Sequence, residues 1–167
     1  MPKAMRKTKK PAKSVAKSSA RRKITVRAKP KPKSAKARSA PRKQAFVASH
    51  YSAEAFAQGL RRYAQYRDLG VAAATNGLAR AHVIKMMPPC IPAEVSKRHY
   101  HDVDFQMVYV LKGWIKSEYD GEGVVTMREG SCWLQPPKIK HTVLDYSDDC
   151  ELLEVILPAD FETVELE

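Results

Sequence analysis

Short runs in which apolar and polar residues alternate dominate the chain from about residue 65 onward. Turn-forming groups such as NG, PP, KG, DGEG, REG and SDD separate these runs, and the combination predicts β-strands joined by tight turns. We predict strands near residues 65–72, 79–86, 97–101, 105–111, 114–119, 123–127, 131–135, 140–145 and 151–157. Many short strands at this spacing predict an all-β sandwich or barrel.

A helical pattern precedes the first predicted strand. Phe56, Leu60 and Tyr63 recur at helical spacing and form one apolar stripe. Ser52 is suited to cap the start of this helix, with an acidic residue in the first turn and two arginines in the last. The pattern therefore predicts one short N-terminal helix before the β-rich region.

The strand at 105–111 is apolar on both faces, which constrains its surroundings. If Gln106 faces the interior, Val108 and Val110 face it too, and the residues between them face outward. An apolar outer face needs a second sheet or a partner subunit to cover it. The pattern therefore predicts a buried strand whose outer side packs either in the core or at an interface.

Charge divides the chain into two parts. Residues 1–43 contain eighteen Lys and Arg and no Asp or Glu, whereas the rest carries a formal charge of −6. The first part is rich in Lys, Ala, Pro and Ser and cannot bury enough apolar surface to offset its ordering entropy. We therefore predict a disordered basic tail at 1–44 and one folded domain at 45–167.

The tail has several possible roles. Its composition resembles the Lys/Ala/Pro-rich tails of linker histones and histone-like bacterial proteins, which implies salt-dependent, sequence-independent binding to nucleic acid. The alternatives are an organellar targeting segment and an inert or solubilising extension. We expect no membrane partner, because no stretch approaches the roughly 20 apolar residues of a membrane span. The three cysteines form no CxxC pair, and a reducing cytoplasm is the expected location.

Two histidines share one side of a predicted strand. His99 and His101 are two residues apart, so both imidazoles point to the same face. Histidine is the commonest metal-binding side chain, and such a pair can supply neighbouring positions of a coordination sphere. By itself the pair fits solvated or hydrogen-bonded histidines equally well.

The spacing around this pair resembles the two signature motifs of the cupin superfamily, in the correct order. The first group is His99, x, His101, four residues, Gln106, six residues and Gly113. The second group is Gly130, five residues, Pro136, four residues, His141, three residues and Asp145. The resemblance covers residues 69–167 and is closest to small single-domain bacterial cupins. It implies a double-stranded β-helix, or jelly-roll, barrel that commonly forms homodimers, with metal ligands His99, His101, Gln106 and His141.

The chain departs from these motifs at four positions. Gln106 stands where the fourth ligand is normally Glu, Asp145 stands where Asn is usual, and Ala93 and Lys138 replace glycines. An amide oxygen is a neutral ligand, so Gln106 either coordinates weakly or holds a bound water by hydrogen bonding. The site then keeps a larger positive charge and an open position, which suits Fe(II), with Zn, Mn, Ni or Cu as alternatives. Such a centre favours an anionic bidentate ligand.

The resemblance implies two classes of function. Cupins with three histidines and no carboxylate ligand resemble the β-diketone-cleaving dioxygenases, in which Fe(II) binds a small enolisable substrate. Glu154, a carboxylate among large apolar residues, is the candidate catalytic residue if it faces the barrel, whereas facing solvent it would be only the polar step of an edge strand. The alternatives are a non-catalytic metal- or ligand-sensing cupin tethered to nucleic acid by its tail, and a cupin isomerase or lyase.

Overall fold

Two antiparallel β-sheets form the part of the chain that the structure describes. A computed structural model describes residues 43–59 and 61–166. In spatial order, the first sheet contains β1 (Ala57–Gln58), β2 (Ala64–Asp68), β3 (Arg80–Met86), β10 (Glu151–Leu157), β5 (Phe105–Lys112) and β8 (Cys132–Leu134). The second sheet contains β11 (Glu162–Glu165), β4 (His99–Asp102), β9 (His141–Tyr146), β6 (Trp114–Tyr119) and β7 (Gly123–Arg128). The order of the strands is that of a cupin jelly-roll β-sandwich, as predicted.

Alternating residues of both sheets meet in one hydrophobic core. Val108 and Val110 of β5 are buried there, as predicted, and Ile115 and Leu152 pack in the same cluster. Gln106 faces the same interior and is 1% exposed, so the predicted parity of the strand is confirmed. This parity matters because it aims a polar side chain into the region between the sheets.

The predicted N-terminal helix is present only as a single 3-10 turn, and its predicted extent toward Tyr63 is wrong. A three-residue 3-10 helix at Ala53–Ala55 is followed by β1, which pairs with β2. The Ser52 hydroxyl donates to the Glu54 carboxylate at 2.6 Å and makes no cap bond to the backbone. Strand pairing with Tyr66 competes successfully with the weak local preference for helix. Leu60, the middle of the predicted stripe, lies outside the described residues.

The sequence pattern did not predict three further elements. Helix α1 (Val71–Ala74) occupies the end of the first predicted strand, because Gly70 adopts φ +76° and the Asp68 carboxylate accepts a bond from its N–H. Helix α2 (Pro92–Val95) begins at a proline. Strand β11, at the edge of the second sheet, pairs with β4.

Two turns around the site have left-handed backbone. Gly113 joins β5 to β6 with φ +68°, and an added Cβ would lie 2.1 Å from the Ser147 Oγ. Lys138, which stands at a motif glycine, adopts φ +61°, and its ammonium lies 3.0 Å from the Asp102 carboxylate. The turn therefore keeps the conformation that a glycine would favour, at a modest cost in strain.

The predicted tail at 1–44 lies outside the described residues except for Lys43 and Gln44. Within the described ranges, no helix has the length and apolar character that crossing a membrane requires.

Candidate metal centre

Three histidines from neighbouring strands converge in the interior. His99 and His101 project from the same side of β4, and His141 begins β9, directly opposite His99 in the register. One ring nitrogen from each histidine lies within 4.8 Å of the others. The structure thus brings together all three histidines that the sequence singles out.

Each imidazole is oriented by a bond to its Nδ1 atom. His99 Nδ1 lies 2.7 Å from the Lys97 carbonyl, and His141 Nδ1 lies 3.1 Å from the Ile139 carbonyl. His101 Nδ1 lies 2.9 Å from the Thr163 hydroxyl on β11. A carbonyl only accepts, so Nδ1 carries the proton in His99 and His141, and the lone pair that a metal would use is on Nε2.

Burial keeps these imidazoles neutral. It lowers the pKa of His99, lowers the pKa of His101 to about 4 and, with the neighbouring His99, lowers the pKa of His141 to about 3. Neutral imidazole is the metal-binding form. Ligand atoms this close can bind one ion at the usual metal–nitrogen distance of about 2.0–2.1 Å. The residues therefore fit a divalent metal.

A buried polar network adjoins the cluster. The Glu154 carboxylate accepts from Gln106 Nε2 at 2.5 Å and from His82 Nε2 at 2.6 Å. Burial by itself would raise the pKa of Glu154, but the hydrogen bonds from His82 and Gln106 and the charge of His82 hold it below its usual value. Glu154, the candidate catalytic residue, is thus an ionised group beside the histidines.

Gln135 connects this network to the cluster. Its Nε2 donates to Gln106 Oε1 at 3.1 Å and lies 3.1 Å from His141 Nε2. An amide N–H therefore faces the lone pair that a metal would use, so metal binding requires Gln135 to give up this contact. Both ends of the Gln106 amide are hydrogen-bonded to the protein, and its assignment as a fourth ligand stays a prediction.

The histidines open into a cavity of about 660 Å³. Tyr119 stacks on His141 with a centroid distance of 5.6 Å, and the edge of Phe161 meets His101 at the same distance. Val108 lines the cavity, as expected, whereas Val110 is buried behind it. The cavity is large enough for a small organic molecule.

Sequence reasoning missed His82, Gln135 and Thr163. His82 contacts Glu154 because β3 and β10 pair with these residues directly opposite each other. Thr163 reaches His101 through the pairing of β11 with β4. Strand partners this distant in sequence carry no local signal, although Gln135 could have been noticed one residue before Pro136 of the second motif.

Comparisons with known proteins agree with this architecture. Residues 90–156 match the family described as "Cupin domain". The fold is that of a cupin-type β-barrel, and its three-histidine group is suited to hold a divalent metal. A search of curated proteins found no match.

Several solved structures share the fold at low sequence identity. The polyketide cyclase RemF from Streptomyces resistomycificus is 16% identical with a TM-score of 0.51, over 64% of this chain and 72% of that one. Oxalate decarboxylase from Bacillus subtilis is 18% identical with a TM-score of 0.53, over 73% and 33%. Salicylate 1,2-dioxygenase from Pseudoaminobacter salicylatoxidans is 9% identical with a TM-score of 0.51, over 64% and 30%. These likenesses concern the fold.

Proposed function

We propose that this protein is a metal-dependent oxygenase that cleaves a small enolisable substrate, in the manner of the β-diketone-cleaving dioxygenases. The observation that supports this proposal is the composition of the cluster. Three imidazoles, two buried and one half-buried, and no carboxylate offer ligand atoms within 4.8 Å of one another. His99, His101 and His141 would hold the metal, for which we propose Fe(II).

The neutral ligand set favours an anionic substrate. Bound Fe(II) would supply Lewis acidity and redox chemistry with dioxygen. Three imidazoles leave the charge of a divalent ion uncompensated, so an enolate, which offers two oxygens and a negative charge, is a suitable partner.

The remaining residues would shape the reaction space. Val108, Ile115 and Leu152 line the cavity with apolar surface and limit the access of water. Glu154, held as a carboxylate by His82, would accept a proton from the substrate. Gln106, whose Nε2 is bound to Glu154, turns its carbonyl oxygen toward Gln135 and the cluster.

Metal analysis followed by oxygen uptake tests this proposal. Protein purified without chelators should contain about one metal ion per chain and consume oxygen with at least one member of a panel of 1,3-diketones. The His101→Ala variant should do neither. Metal that is substoichiometric and lost on dialysis, or a metal-loaded protein that consumes no oxygen with any diketone, would contradict the proposal.

A second candidate is a metal-assisted isomerase or lyase. The 2.6 Å contact between His82 and Glu154 favours it, because a buried carboxylate–imidazole pair is suited to moving a proton on a substrate carbon. Substrate turnover under anaerobic conditions distinguishes the two, since the oxygenase requires dioxygen and the isomerase or lyase does not.

A further inference from the structure

A buried cation without a full set of partners lies in the wall of the cavity. Arg61 lies three residues before β2, and its Nη1 donates to the Glu165 carboxylate at the end of β11. Its Nη2 is buried and has no hydrogen-bond partner among the described residues, and the side chain is only 14% exposed. A buried N–H without an acceptor is costly, so this guanidinium is short of one partner.

Arg61 lines the same cavity as the three histidines of the cluster. On β11, Thr163 lies opposite His101 and Glu165 lies opposite His99. Thr163 contacts His101, and Glu165, two residues along the same strand face, holds Arg61. Two residues of a strand span about 7 Å, so the guanidinium is anchored within reach of a small molecule bound at the histidines.

The second buried side-chain nitrogen without a hydrogen-bond partner lies outside the cavity. Among the described residues, the one further buried side-chain nitrogen without a partner is the Nε of Arg67. Arg67 does not line the cavity, whereas Arg61 does. Arg61 is therefore the unpaired donor that a ligand in the cavity can satisfy.

Charge in the cavity also favours an anion. A second arginine, Arg80, lines the same space with its guanidinium 5.9 Å from the centre of the Phe161 ring. The carboxylates of the lining are Glu154 and Asp68, and Glu165 is already paired with Arg61. A divalent ion and two arginines thus exceed the negative charge around them.

We propose that the substrate carries a carboxylate in addition to its enolisable group, and that Arg61 Nη2 donates to this carboxylate. The inference rests on the proposed function for the placement of the enolisable group at the metal. A guanidinium–carboxylate hydrogen bond is charge-assisted and satisfies the unpaired N–H. Arg61 would thereby select keto acids over neutral diketones.

Calorimetric titration of Zn(II)-loaded protein tests the proposal without turnover, because zinc is not redox-active. The probes are 3,5-dioxohexanoate and 4,6-dioxoheptanoate, in which one or two methylenes separate the carboxylate from the diketone. The neutral reference is heptane-2,4-dione. At least one acid should bind the wild-type protein about tenfold or more tightly than the reference, as expected for a charge-assisted hydrogen bond.

Variants assign the preference to Arg61. Arg61→Ala should remove most of this preference while the Kd of heptane-2,4-dione changes less than about twofold. Arg62→Ala, at the exposed neighbouring position, should leave both constants unchanged. Arg61→Gln keeps a polar chain of similar reach and serves if the alanine variant does not fold.

Either of two results would overturn the proposal: equal binding of the acids and the neutral diketone by wild-type protein, or a full preference retained in a folded Arg61 variant. Absence of oxygen uptake by the Fe(II)-loaded protein would instead contradict the proposed oxygenase, and the binding comparison would still stand.

Discussion

At the scale of single residues, hydrogen bonds to Nδ1 determine what the histidine cluster can do. The Lys97 and Ile139 carbonyls place the proton of His99 and His141 on Nδ1 and leave Nε2 as the nitrogen with a lone pair. Burial then keeps the rings neutral. Metal-binding capacity therefore depends on backbone atoms as much as on the histidines.

Replacement of His101 by alanine should abolish most metal binding and leave the fold intact. His101 supplies one of three ligand atoms, and the core is built from other residues. His50→Ala is the matched control, because His50 is exposed and outside the cluster. Elemental analysis and circular dichroism give the two readouts. Full metal content in the His101 variant would refute the site.

The metal-free protein should lose stability as the pH falls below about 6.5. Burial lowers the pKa of His101 to about 4, so between pH 6.5 and 4 the unfolded chain binds a proton that the folded chain does not. The free energy of unfolding should drop by about 2 kcal/mol for His101 alone by pH 5. Thermal melting in chelator between pH 7 and 5 measures this, and His101→Asn should show a shallower slope. A melting temperature independent of pH over this range would contradict it.

At the scale of elements, β11 completes the site from the edge of the second sheet. Through Thr163 it orients His101, and through Glu165 it holds Arg61. This short strand lies outside the region that matches the family. It therefore links the cupin core to the part of the chain before β2.

Thr163→Val should weaken metal binding about tenfold while preserving the shape of the side chain. The variant removes the hydroxyl that bonds His101 Nδ1, and such outer contacts typically change metal affinity 10- to 100-fold. Thr126→Val on the exposed face of β7 is the control. Competition with a chelator of known affinity measures both. Unchanged affinity in Thr163→Val would show that packing alone orients the ring.

At the scale of the whole molecule, the outer face of the first sheet is covered unevenly. Over β3, Ala81 and Val83 are buried on that face beneath the region of α1. Over β5 and β8, Tyr109, Leu111 and Leu134 are 37%, 40% and 59% exposed. An apolar face of this kind is typical of an interface. We propose that a second copy of the chain covers it, as the sequence pattern predicts.

Leu134→Lys should therefore convert a dimer to a monomer. The substitution places a charge in the exposed apolar face, where it would have to be desolvated on association. Val124→Lys, at a similarly exposed position on β7 of the other sheet, is the control. Light scattering coupled to size exclusion gives the mass of each. A monomeric wild-type protein, or a dimeric Leu134→Lys variant, would contradict this interface.

Full-length protein should bind duplex DNA of any sequence, and binding should weaken steeply with salt. Residues 1–43 carry a charge of +18 against −6 for the rest, and log K should fall with log salt by about 0.9 per phosphate neutralised. Deletion of these residues should abolish binding and leave metal content unchanged. Titration of duplex DNA with the full-length protein and with the truncated protein, at two salt concentrations, tests this prediction. If both forms bind DNA equally, or if the affinity does not depend on salt, the tail does not bind nucleic acid electrostatically. Its role would then be that of a targeting segment or a solubilising extension.

Local patterns predicted most of the strands and the three histidines of the cluster. Alternation sets which side chains share a face, so the buried positions of Gln106 and Val108 followed from the sequence itself. Motif spacing then paired His99 and His101 with His141. The predicted N-terminal helix ends after one 3-10 turn, because strand pairing with β2 outweighs a single apolar stripe.

The tertiary structure alone decided what surrounds the histidines. His82 meets Glu154 because β3 pairs with β10, and Arg61 meets Glu165 only after β11 has paired with β4. These contacts join residues 72 and 104 positions apart. Periodicity and motif spacing act over a few residues, whereas strand order and register bring distant side chains together. The buried Glu154 carboxylate, the Arg61 guanidinium with its unpaired N–H and the cavity therefore arise from the tertiary structure.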